Sequence, residues 1–469
     1  MGFFWCKLLK TEPCNSIFEA LDKATPNSRI IVGPGRYHGG FTIDKKGIKL
    51  ESTAGPISTT IIGPAGLPVI SVIADNVSIG KAKGKGFTIM GEDETLIQVG
   101  STDIVGCFVD EEFISRELYS NTRIEGNRLF QTLSTVPPDR PSFCLANVIE
   151  SRPYLSAINV TGDKVTLSDN VIEGSGTVVI DLVETTGSST IKGNNVKHNF
   201  SDLIHEYGGA GLLPSFLSYR ALYLGGIGSS VSDNQIELTG GTLGLLDFEV
   251  EARGIYSVSE KAKIIANSVI GFGDNIHIHY DEIVSKNIVN NYYSNGIFSY
   301  IASSEGATIK DNTINSGLFD NPPILRYGLR IRNPKIVQGN NINVSSAGGI
   351  STGMNIGAGE AFGSLKSISV RNNNVYGFNP LGDECNIVTN GGSVMPVKMS
   401  GNFYGDTVFA PSIGNAYEGS FDICSTTEGH NIYEIPGDET SAIIGIEGVT
   451  MKPSLKPNAI KAKIKTNRF

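Results

Sequence analysis

Two histidines one residue apart, His277 and His279, stand in the stretch Asn275-Ile-His-Ile-His. The chain holds only 6 histidines in 469 residues, so a pair this close is a candidate for proton transfer. Four other stretches share its form: Ala221-Leu-Tyr-Leu, Gly254-Ile-Tyr-Ser, Gly296-Ile-Phe-Ser-Tyr and Gly328-Leu-Arg-Ile-Arg. Each reads as a short strand after a small or polar residue. Alternation then sends Leu222, Ile255, Ile276, Ile297 and Leu329 inward. It sends Tyr223, Tyr256, His277, His279, Phe298, Tyr300, Arg330 and Arg332 outward. Strands stacked at about 4.8 Å would turn these outward residues into one face, aromatic in the middle and cationic at one end.

Flat aromatic rings match the apolar faces of sugars, and paired arginines fork onto carboxylates or sulfates. The expected partner is a polysaccharide or surface glycan, held by Tyr223, Tyr256, Phe298, Tyr300, Arg330 and Arg332. His277 and His279 are the expected acid–base pair. The competing reading is that aromatics suit any sheet, or that an insertion covers the face. A His-x-His pair also suits a metal, but no third ligand stands nearby in the sequence, so no metal is expected.

Two acidic groups supply alternative catalytic residues. Asp247, Glu249 and Glu251 alternate in LLDFEVEARG, and Asp202, His205 and Glu206 lie in SDLIHEYGG. Neighbouring carboxylates repel, which raises one pKa and makes an acid beside a base, as glycosidic hydrolysis requires. The other uses are a solvated strand edge and, for hard oxygen ligands, calcium; without a D-x-D-x-D-G loop no cofactor is expected.

The element that must position these residues is written in a second phrase. IEGNRL, LSDNVI, IKGNNV, VSDNQI, IIANSVI, VSKNIV, IKDNTI, VQGNNI, VRNNNV and MSGNFY centre on Asn127, Asn170, Asn194, Asn234, Asn267, Asn287, Asn312, Asn340, Asn372 and Asn402. Self-similarity at this period marks a stacked repeat. An apolar residue ends one strand, polar residues turn, Asn bends the chain, and an apolar residue opens the next strand. Asn tolerates a left-handed backbone, and stacked amides can bond one another in a ladder. The fold class is therefore all-β, a solenoid of about a dozen coils.

Residues 16–24 (SIFEALDKA) read as a helix, with Ser16 and Glu19 as a capping box and Ile17, Phe18 and Leu21 as its apolar stripe. RIIVGPGRYHGGFTIDKKGIKLES follows. This order resembles the start of the pectin-lyase-like right-handed parallel β-helix proteins: an amphipathic helix, a V-G-P-G-x-Y phrase at Ile31–Tyr37 and a G-I-x-L strand at Gly47–Leu50. The resemblance implies a right-handed parallel β-helix capped by the N-terminal helix. It leaves the chemistry open, because lyases, hydrolases, esterases, epimerases and tailspikes share that fold. No catalytic phrase of the pectin methylesterases, polygalacturonases or alginate epimerases is present; Gly273-Asp-Asn-Ile-His-Ile-His matches the last only in holding Asp near His.

The expected organisation is an arm and capping helix over 1–30, a parallel β-helix over 31–410 with insertions at 131–156 and 207–220, and an irregular cap with a basic tail over 411–469. A net charge of −9 argues against a nucleic-acid partner, and no apolar run is long enough for a membrane span. Six scattered cysteines read as reduced thiols rather than a disulfide framework. The opening MGFFWCKLLKTEP lacks a basic region and a clear cleavage site, which disfavours a secretion signal and favours a virion or phage particle, or an extracellular location reached by another route, over the cytoplasm. Two functions fit: a lyase, hydrolase or epimerase acting on a polysaccharide, or a non-catalytic rod of a tailspike or adhesin, a homotrimer in the viral case.

Overall fold

The computed structural model describes residues 5–6, 13–64, 67–92, 94–100, 119–133, 156–176, 182–200, 217–239, 250–299, 306–317, 325–344, 350–357 and 368–376. It also describes the strands at 385–390, 397–400, 403–405, 417–419, 422–425 and 431–434. The chain divides into two compact units, Met1–Gly241 and Thr242–Phe469.

In the first unit the helix spans Ile17–Lys23, and the Ser16 hydroxyl accepts from the Glu19 N–H at 3.0 Å. The Glu19 carboxylate accepts in turn from the Asn15 N–H at 2.7 Å, one residue before the position a strict capping box uses. Lys45 closes the other end, donating to the Leu21 and Asp22 carbonyls at 2.7 and 2.8 Å. Ile17, Ala20 and Leu21 are buried. Phe18, expected in that stripe, is largely exposed and meets Phe41 only edge-on, at 5.8 Å.

Beyond the helix, each strand pairs in parallel with the third strand before and after it. Phe41–Ile43, Ile70–Val72, Ile97–Val99, Ile158–Val160, Val183–Thr185 and Leu217–Leu224 form one such series. Returning to the same sheet after every third strand is the path of a parallel β-helix, and parallel crossovers take the right hand. The inward column Ile70, Ile97, Ile158, Val183 and Leu222 is buried without exposed surface.

The second unit repeats the pattern. Val250–Ser257, Asp274–Ile278, Asn295–Ser299, Leu325–Arg332, Ile350–Gly357 and Cys385–Asn390 pair in parallel. Ile255, Ile276, Ile297 and Leu329 are register partners and fully buried, as the alternation predicts. The parallel series gives way to antiparallel pairing, with Asp422–Ser425 on Cys385–Asn390 and Asn431–Glu434 outside it.

Within each unit the asparagines form a ladder. In the first unit Asn127, Asn170, Asn194 and Asn234 are joined, each amide nitrogen donating to the next amide oxygen at 2.9–3.3 Å. In the second unit Asn267, Asn287, Asn312, Asn340 and Asn373 are joined at 2.9–3.0 Å. Each next oxygen also accepts the backbone N–H of the preceding asparagine, as from Asn287 to Asn312 at 3.0 Å.

Two expectations are corrected here. The left-handed backbone falls on the residue before the ladder asparagine: Gly126, Asp169, Gly193, Asp233, Ala266, Lys286, Asp311, Gly339 and Asn372 all have positive φ. In VRNNNV the buried ladder residue is accordingly Asn373, while Asn372 takes the left-handed turn and is exposed. Asn402 lies outside the described residues.

Candidate functional site

In the second unit, register places one outward side chain per coil: Tyr256 beside His277, His277 beside Phe298, Phe298 beside Arg330, and Arg330 beside Asn355. A second column runs parallel to it through Arg253, Asp274, Asn295 and Tyr327. The two columns share a face because the strand turns a corner between them. Gly254, Gly296 and Gly328 occupy the corner, where a Cβ would run into Val269, Ile314 or Ile342. Asn275 holds the equivalent place in its coil, and its buried amide donates to the Val269 and Asn290 carbonyls at 3.1 and 2.8 Å.

The aromatic groups interlock. The His277 ring meets Tyr256 at 5.0 Å and Phe298 at 4.6 Å, both edge to face, and stacks on His279 at 4.8 Å with an interplanar angle of 18°. His279 meets Tyr256 at 5.0 Å. Cations flank this group: the Arg253 guanidinium carbon lies 4.7 Å from the Tyr256 ring centre, and that of Arg330 lies 4.9 Å from Tyr327 and 5.5 Å from Phe298. Arg330 and Arg332 are exposed, and Tyr256, Phe298 and His279 are half-buried.

His277 was expected at the surface of this face, and the structure corrects that. It is only 3% exposed, because the rings on three sides and Asp274 enclose it. Its Nδ1 lies 3.2 Å from Asp274 Oδ2, while Asp274 Oδ1 accepts from Asn295 Nδ2 at 2.6 Å. Burial, then the charges of His277 and Arg253, push the His279 pKa down to about 4. At neutral pH His279 is therefore an uncharged base. Beneath it, buried Glu282 accepts from the backbone N–H groups of His279 and Tyr280 at 3.1 and 2.7 Å. Burial raises the Glu282 pKa to about 7 against the pull of those bonds.

Tyr223 belongs to the first unit, opposite Glu184 in register and 4.5 Å from the Arg220 guanidinium carbon. Asp202, Glu206, Asp247, Glu249 and Tyr300 lie outside the described residues, as do His205 and most of both insertions. Among the described residues, no group of three or more His, Cys, Asp or Glu side chains is placed to hold a metal ion. Nor is any helix there long and apolar enough to cross a membrane.

Sequence reasoning missed the second column, Arg253, Asp274, Asn295 and Tyr327. Strict alternation put these residues on the inward side, two places before Ile255, Ile276, Ile297 and Leu329. The available signal was their polarity: R, D, N and Y recur at a position that alternation reserves for the core, each followed by Gly or Asn.

No protein-family model matches the sequence, and no curated protein matches it either. Some solved structures are similar to it at low identity. The Dettilon tailspike protein is 14% identical over 93% of this chain and 74% of its own, with a TM-score of 0.38. The A-module of the Azotobacter vinelandii mannuronan C-5 epimerase is 11% identical over 82% of this chain and 90% of its own, with a TM-score of 0.36. The Erwinia chrysanthemi pectin methylesterase is 11% identical over 62% of this chain and 78% of its own, with a TM-score of 0.29.

Proposed function

We propose that the two-column face of the second unit binds a polysaccharide and carries acid–base chemistry on it. The observation that supports this reading is the run Tyr256, His277, Phe298 and Arg330, one side chain per coil, with cations at both flanks. Such a surface offers rings for a sugar face and guanidinium groups for a carboxylate or sulfate. His279, neutral at ordinary pH, serves as the proton acceptor, and exposed Arg330 and Arg332 meet the anionic group. Asp202, Glu206, Asp247 and Glu249 are the next acid–base candidates, and Tyr223 and Tyr300 extend the binding set.

The burial of His277 favours a second reading. A ring this enclosed can simply stiffen a recognition surface, and the protein is then a non-catalytic rod, such as a trimeric tailspike or an adhesin, that binds surface glycans.

Incubating the full chain with a panel of acidic and neutral polysaccharides, while following unsaturated ends by ultraviolet absorbance and new reducing ends, tests the first reading. Elimination raises both signals and hydrolysis only the second. Epimerisation raises neither and is read from the sugar proton spectrum. Loss of about 10²–10⁴-fold turnover in His279→Ala supports the proposed base. Unchanged turnover moves the acid–base work to the carboxylates, and glycan binding with no product at all leaves the rod.

A further inference from the structure

We propose that Asp274 and Asn295 are positioning residues that hold His277 in the Nδ1–H tautomer, with the lone pair on its buried Nε2, and so fix the ring on which the His279 base stacks. This rests on the catalytic reading of the face above and assigns it two residues from the second column. A carboxylate can only accept, so a neutral His277 whose Nδ1 lies 3.2 Å from Asp274 Oδ2 must carry its proton on that nitrogen. The other ring nitrogen then holds the lone pair.

Asn295 fixes the carboxylate itself. It is the register partner of Asp274 in the next coil, and its Nδ2 donates to Asp274 Oδ1 at 2.6 Å and to Ser294 Oγ at 2.9 Å. Its own Oδ1 is buried and makes no hydrogen bond. Leaving an acceptor unpaired costs stability, and rotating the amide would set Oδ1 against the Asp274 carboxylate. The demand of Asp274 therefore dictates the amide orientation. The rings of Tyr256, Phe298 and His279 remove the remaining freedom of the imidazole.

This relay makes an unusual demand on Asp274→Asn. Asn295 still donates to the position of Oδ1, so the new amide must turn its oxygen there and its NH₂ toward His277 Nδ1. A donor at that position forces the proton onto Nε2. Adding Asn295→Ala removes the constraint and lets the amide turn back.

The test is the ¹⁵N spectrum of the full chain labelled only at histidine, with the His277 signals assigned by their loss in His277→Gln. The proposal expects Nδ1–H in the wild type, Nε2–H in Asp274→Asn, and a partial return of Nδ1–H in Asp274→Asn/Asn295→Ala. An Nε2–H tautomer in the wild type overturns it, whether or not the variants fold, and so does an unmoved tautomer in a folded Asp274→Asn. No substrate enters this measurement, so its failure is separate from the failure of the polysaccharide panel. On a substrate that is cut, Asp274→Asn should lower kcat about 10²–10⁴-fold with KM little changed.

Discussion

Replacing Asn312 with alanine removes four hydrogen bonds from a wholly buried corner. The Asn312 oxygen accepts from the Asn287 N–H and the Asn287 amide, both at 3.0 Å, and its amide donates to Val284 O at 3.0 Å and Asn340 Oδ1 at 2.9 Å. At about 1 kcal/mol net for each bond, the loss is about 4 kcal/mol. It is not spread evenly. The Asn287 amide keeps Ile264 O at 2.9 Å, and Asn340 Oδ1 keeps the Asn312 N–H at 3.1 Å. The Asn287 N–H loses its acceptor in a buried site, which alone costs about 1–3 kcal/mol. A range of about 3–5 kcal/mol follows, equivalent to about 10²–10⁴-fold in a local opening constant.

Hydrogen exchange is the suitable assay, because a solenoid opens coil by coil. Amides over 283–316 should lose that much protection, and the urea midpoint should fall. Asn315→Ala is the control: the same residue type, half-buried, with one amide bond to Asn290 at 2.8 Å, and an expected cost of about 1 kcal/mol. Asn312→Asp, nearly isosteric, should do at least as badly as alanine, because it sets a carboxylate against Val284 O and Asn340 Oδ1. If Asn312→Ala protects these amides as well as Asn315→Ala does, the ladder does not hold the coils.

The turn residues and the core give further predictions. Ala266→Gly and Lys286→Gly should each stabilise the protein by about 1 kcal/mol in urea unfolding, since both hold a left-handed backbone, φ 58°, that costs a side chain about 1–2 kcal/mol. Ile276→Ala should cost about 2–5 kcal/mol in the same assay, as a large-to-small change at a fully buried site. Glu282 has a folded pKa near 7, above its ordinary 4.5, so its contribution is full below about pH 4.5 and is lost as pH rises through 7. At about 1.4 kcal/mol per pH unit, that loss is about 3 kcal/mol, and unfolding measured between pH 4 and pH 8 should show this slope weakened in Glu282→Gln. His279 acts with the opposite sign: its depressed pKa gives stability that is present above its ordinary 6.5 and falls away as pH drops toward 4. A histidine titration curve for residue 279 centred near its ordinary value would contradict this environment.

The coil repeat and its core were legible because inward positions recur every second residue within a strand, and Ile255, Ile276, Ile297 and Leu329 obey that rule. The helix cap was legible from Ser16 and Glu19 alone. Neither the left-handed position nor the true ladder member could be read in VRNNNV, where three asparagines compete and only the backbone path separates Asn372 from Asn373. The second column was hidden by the corner at Gly254, Asn275, Gly296 and Gly328, which reverses the alternation within one strand. Burial of His277 was hidden because an outward residue is enclosed by neighbours one coil's worth of sequence away on either side, which period alone does not report. A buried asparagine that stands in for glycine at the corner, Asn275, is the one local clue that the Asp274–His277 coil is built differently from the rest.

The central claim is that the outward columns of the second unit recognise a glycan. Titrating the full chain, as wild type and as Phe298→Ala, with acidic and neutral polysaccharides measures this directly, with the two circular dichroism spectra compared first. The account predicts that at least one polysaccharide binds and that Phe298→Ala weakens it about five- to tenfold, the share of about 1–1.5 kcal/mol expected of one stacked ring. Binding that is unchanged in Phe298→Ala, or a folded wild type that binds none of the panel, would contradict it.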